Sequence, residues 1–135
     1  MRYALLIVDP ESAQPSSSSP DPEVAAQVTK EYSDYTQTLK DRGAYLGGEA
    51  LQPNPTATTV RIKDGDTIIT DGPFIEAKEA LGGFYLIEAR DLDEALQLAA
   101  ACPGAKWGAI EVRPVWEYAD TPEAVAVGEG AAQPA

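Results

Sequence analysis

The chain has 135 residues, enough for one domain with a buried core, and 44% of them are hydrophobic and 24% charged, as in an ordinary globular protein. Its 22 acidic residues against 10 basic ones give a net charge of −12, a field that repels phosphate backbones and argues against direct nucleic-acid binding. Histidine is absent, removing the commonest general base and metal ligand, and the single Cys102 excludes an internal disulfide or a thiolate metal cluster, so no cofactor is expected.

At the N-terminus, residues 2–8 read as a strand in which Tyr3, Leu5 and Ile7 alternate with Ala4, Leu6 and Val8, apolar on both faces and therefore central. This run is too short for a signal-peptide core or a membrane span, so a cytoplasmic location without membrane contact is expected. A Ser/Pro stretch, "PESAQPSSSSPDP", follows as an exposed loop. Asp21 then caps a helix with Pro22 in its first turn. Val24, Val28, Tyr32, Tyr35 and Leu39 form its apolar stripe, and Gly43 is its stop.

"AYLGGEAL" reads as a second strand, with Gly47 and Gly48 marking a bulge or a close backbone approach. "TTVRIKDGDTIIT" is a hairpin turning at Asp64-Gly65. "GFYLIEA" is another strand buried on both faces. Asp91 and Glu94 then open a second helix in the manner of a capping box, with Leu92, Ala95, Leu96 and Ala99 as its stripe and Pro103-Gly104 as its end. "AIEVRPVWEY" alternates as a last strand, with Ile110, Val112, Trp116 and Tyr118 on one face. One domain over residues 1–118 is expected, followed by a loosely ordered acidic tail over 119–135.

Strand, helix, strand, hairpin, strand, helix, strand is the order of a ferredoxin-like α+β fold with an inserted β-hairpin. Two helices cover one face of such a sheet. Strands that are apolar on both faces leave the other face wanting cover, and a homodimer stacking sheet on sheet supplies it.

The stretch "TDGPFIEAKEALGGF", residues 70–84, is the most heavily decorated connection in the chain. Asp71 either caps the turn made by Gly72 and Pro73, its commoner role, or presents a carboxylate to a cleft for proton exchange. Glu76, Lys78 and Glu79 are either a solvated surface or a ligand-binding set in which Lys78 holds an anion and a glutamate works as acid or base. Phe74 is expected to anchor the loop in the core, and Gly82-Gly83 to permit close backbone approach. Tyr32 and Tyr35 read as core packing with hydroxyls at the rim of any pocket. Cys102, without a histidine or cysteine partner, reads as an inert small hydrophobe.

"TDGPFIEAKEALGGFYLIEA" resembles the signature of the DGPF-domain proteins, a branch of the YCII-related superfamily, and "YLGGEAL", "DLDEALQLAAACPGA" and "GAIEVRPVWEY" fit beside it. The resemblance implies a dimeric α/β barrel of ferredoxin-like units. It supplies no reaction, since the family is mostly of unknown activity and is often associated with sigma-factor regulation. YCII relatives are proposed to pair an aspartate with a histidine on the first helix. The matching helix position here is Tyr32, so the resemblance carries over without its histidine.

Two functions follow as expectations. One is a small-molecule-binding homodimer with acid–base chemistry at the motif loop, in which Asp71 and Tyr32 are catalytic and Glu76, Lys78, Glu79 and Tyr35 bind ligand. The other is a non-catalytic accessory or regulatory protein whose acidic surface meets a basic protein partner. Catalysis and binding alone are both consistent with the first.

Overall fold

The computed structural model of the protein describes residues 1–10, 19–74 and 79–117; most of the Ser/Pro stretch (11–18), Glu76, Lys78, Tyr118 and the tail lie outside them. The elements run β1 (Arg2–Pro10), α1 (Pro22–Asp41), β2 (Tyr45–Ala50), β3 (Thr58–Lys63), β4 (Asp66–Asp71), β5 (Glu79–Glu88), α2 (Leu92–Ala100) and β6 (Ala109–Pro114), with a 3-10 turn over Pro103–Lys106. The fold is α+β. Four strands form one antiparallel sheet in the order β2-β5-β1-β6, and β3 and β4 form a separate two-stranded sheet.

Local chemistry sets the element ends. The Asp21 carboxylate accepts from Glu23 N at 2.9 Å, satisfying one of the free amides that start α1, and Pro22 needs no partner there. Gly43, at φ +71, carries the chain out of the helix. The Asp91 carboxylate accepts from Glu94 N, while the Glu94 carboxylate accepts from Arg90 N, one residue before the cap rather than at it. Asp64 (φ 51) and Gly65 (φ 83) take the left-handed conformations that a two-residue hairpin turn requires.

The core lies between the helices and one face of the large sheet. Tyr3, Leu5 and Ile7 of β1 and Tyr85 and Ile87 of β5 point into it, meeting Tyr35 and Leu39 of α1 and Ala95, Leu98 and Ala99 of α2. The opposite face carries Ala4, Leu6 and Val8, paired across the ladder with Leu86, Phe84 and Leu81. None of these six is buried, and Phe84 is 36% exposed.

Several expectations need correction. Leu92 and Leu96 are exposed; the buried stripe of α2 is Ala95, Leu98 and Ala99. The last strand stops at Pro114, and Trp116 beyond it is 76% exposed. Phe74 is 67% exposed and lies under the Arg61 guanidinium, 5.8 Å from its ring centroid, so it anchors nothing in the core. β5 begins at Glu79, four residues before the expected start, so Glu79 belongs to a strand rather than to a loop. Among the described residues, no helix is long and apolar enough to cross a membrane.

Candidate functional site

A cavity of about 760 Å³ opens between α1, the β2 edge of the sheet, the 51–55 segment and the start of β5. Its lining is largely apolar and aromatic, including Tyr32, Tyr45, Tyr85 and Trp107. Tyr85 is held in place by edge-on contacts with the Tyr35 ring at 5.3 Å and the Tyr45 ring at 6.3 Å, and its hydroxyl is 2.7 Å from Thr36 Oγ1. The rings therefore present fixed faces to the cavity rather than loose ones.

One carboxylate stands among them. Asp9 lies near the end of β1, on the same side of the strand as Tyr3, Leu5 and Ile7, so strand alternation turns it toward the helices. The β1–β5 ladder shifts register here: Ile7 faces Gly83 and Val8 faces Leu81, leaving Gly82 as the extra residue of a bulge. A Cβ on Gly82 would overlap the Asp9 carboxylate unless that side chain moved. A Cβ on Gly108 would come 3.3 Å from Asp9 Oδ1, and one on Gly104 2.7 Å from Tyr32 Oη. Two close backbone approaches thus crowd Asp9 and a third crowds Tyr32, and the two are near enough for Asp9 to act electrostatically on the Tyr32 hydroxyl.

Asp9 Oδ1 is buried and has no hydrogen-bond partner among the described residues. Burial raises the pKa of this carboxyl above the ordinary value, making it a better proton acceptor near neutrality than a surface aspartate. The Tyr32 hydroxyl is pushed upward first by burial and then by Cys102 and Asp9, so it stays protonated at neutral pH and keeps a proton to donate. Cys102 is buried, and its thiol is pushed up to about 11 mainly by desolvation. An acceptor carboxylate beside a donor hydroxyl, opening on a cavity, is an arrangement able to move a proton on a bound molecule.

Of the expected site residues that the structure describes, one comes to this place. Tyr32 lines the cavity; Tyr35 is in the core, where its hydroxyl donates to the Leu98 carbonyl at 2.6 Å. Asp71 stands exposed at the end of β4, on the separate hairpin, and is not among the residues lining the cavity. Glu79 is exposed at the start of β5, with Ala80 and Leu81 next to it in the cavity wall. Glu76 and Lys78 lie outside the described residues. Asp9 was the residue missed. Its signal was available in the alternation of β1, which puts a carboxylate on the core-facing side of a buried strand.

Residues 1–119 match the YCII-related domain. An uncharacterized protein of Rhizobium meliloti (strain 1021) is 38% identical over 120 residues, covering 87% of this chain and 94% of that relative. Among solved structures, 5-chloro-2-hydroxyhydroquinone dehydrochlorinase (TftG) from Burkholderia phenoliruptrix AC1100, in complex with 2,5-dihydroxybenzoquinone, superposes with a TM-score of 0.46 and 18% identity. That superposition covers 87% of this chain and 95% of the other.

Proposed function

Because the chain belongs to the YCII-related domain family, we propose that it is a small-molecule-binding protein working as a homodimer, with the cavity beside α1 as its ligand site and Asp9 with Tyr32 as its proton-exchanging pair. The observation that carries this reading is the buried Oδ1 of Asp9, which has no partner among the described residues. A buried carboxylate oxygen without a donor is costly, and such a cost is retained where a ligand makes the missing bond. In the bound state Asp9 accepts a proton from the ligand and Tyr32 donates a hydrogen bond to it. Glu76, Lys78 and Glu79 belong to this reading as further ligand contacts, because Ala80 and Leu81, directly after them, line the cavity.

The order β2-β5-β1-β6, with both helices contributing to one side of the sheet, supports a ferredoxin-like unit. The apolar strip of Ala4, Leu6, Val8 and Leu86 on the other side supports a second copy stacked against it, as in a dimeric α/β barrel.

A compound screen by thermal unfolding tests the ligand site. Compounds that raise the melting temperature of the wild type should lose that effect in Asp9→Asn and have it weakened in Tyr32→Phe. Compounds stabilising all three proteins equally would place the ligand elsewhere.

A further inference from the structure

The charge lining the cavity is one-sided, and that selects among ligands. Of the described lining residues, the charged ones are Asp9 and Glu49, and none is Lys or Arg. Asp9 Oδ1 lacks a donor, and the whole chain carries a net charge of −12. Around the carboxylates stand the rings of Tyr32, Tyr45, Tyr85 and Trp107. An anionic ligand entering this space meets like charge, with no compensating cation among the described lining residues, and loses its hydration. A ligand bearing an ammonium group finds the opposite: a charge-assisted hydrogen bond to the orphaned oxygen, ring faces for its positive charge, and an attractive field on approach.

We infer that the cavity binds a small organic cation, a protonated amine on an aromatic or apolar body, with its nitrogen on Asp9 and its body against the tyrosine rings. This rests on the cavity being the ligand site, as proposed above. The binding step needs no chemistry beyond ion pairing. The Asp9 carboxylate replaces one of the ammonium's water partners, and the ligand's N–H supplies the donor that Oδ1 lacks. Lys78, two residues before Ala80 in the cavity wall, offers the contrary selectivity for an anion, so the experiment includes one.

Isothermal titration of the full chain at pH 7 with three probes of matched shape tests the inference: 2-(1-naphthyl)ethylamine, 2-(1-naphthyl)ethanol and 1-naphthylacetate. The amine should bind roughly tenfold or more tightly than the alcohol, as charge-assisted bonds are about twice as strong as neutral ones, and the acetate should bind weakest. In Asp9→Asn the amine should lose its advantage over the alcohol. Equal binding of amine and alcohol to the wild type would overturn the cation inference and leave the ligand site standing. Tightest binding by the acetate would overturn it in favour of Lys78, and no binding by any probe would overturn the site and the inference together.

Discussion

Gly82 and Asp9 occupy each other's space: the bulge in β5 brings the glycine backbone so close that a methyl group at residue 82 would collide with the Asp9 carboxylate. Gly82→Ala should therefore force the Asp9 carboxylate out of position, at a modest cost to the fold because the colliding atom is the end of a side chain lining a cavity. Gly47→Ala is the control, because a Cβ there meets nothing within 4 Å. Urea unfolding of both variants reads the stability. Carboxyl-carbon NMR of Asp9 reads its displacement, as a return of the titration toward the ordinary value in Gly82→Ala alone.

Asp9 also predicts a pH dependence. Its folded-state pKa is raised above the unfolded value near 3.8, so the folded state holds this proton more tightly than the unfolded one. The stability that protonation supplies is fully present below 3.8 and is lost as pH rises through the higher folded value. At neutral pH the wild type thus carries an unpartnered charge that Asp9→Asn lacks. The variant should melt higher than the wild type at pH 7, and the gap should close on acidification. Melting curves from pH 3 to 7 check this, and a wild type more stable at pH 7 would mean that Oδ1 has a partner in solution.

The two helix-one tyrosines should separate cleanly. Tyr35→Phe leaves the buried Leu98 carbonyl without its donor and should cost about 1–3 kcal/mol, with no direct effect on ligand binding. Tyr32→Phe removes a hydroxyl at the cavity wall and should cost less stability while weakening binding. Denaturant titration alongside calorimetry of a bound ligand distinguishes them.

Assembly is tested at Leu86, on the face away from the helices and opposite Ala4 in the ladder. Leu86→Glu puts a charge in the middle of the apolar strip, and its side chain projects away from the core. The wild type should give a dimer mass by light scattering at micromolar concentration, and the variant a monomer that still unfolds cooperatively. A monomeric wild type would remove the need for stacking.

Much of the fold was legible because its signals are local. Asp21 and Asp91 announce the helix starts through bonds spanning a few residues, and Asp64-Gly65 announces a turn that almost only such a pair can make. The site was less legible. The decorated motif drew the eye to Asp71, yet the carboxylate beside Tyr32 is Asp9, whose neighbourhood is assembled from β1, α1, the β5 bulge and the turn before β6. No short window contains that set. Phe74, Leu92 and Leu96 misled for a related reason: large apolar side chains on a good pattern imply burial only if something packs over them.

The position of β1 has a consequence for how the protein is made. It is made before the other described elements, yet both of its neighbours, β5 and β6, come from the second half of the chain. Its run of tyrosine, leucine, isoleucine and valine must therefore wait, unpaired, through synthesis of α1, β2 and the entire hairpin before it can enter a sheet. Pairings of such long sequence separation are slow to form. The nascent chain passes through a stage in which its most aggregation-prone segment is already made and its partners are not, a period when chaperone capture would matter most.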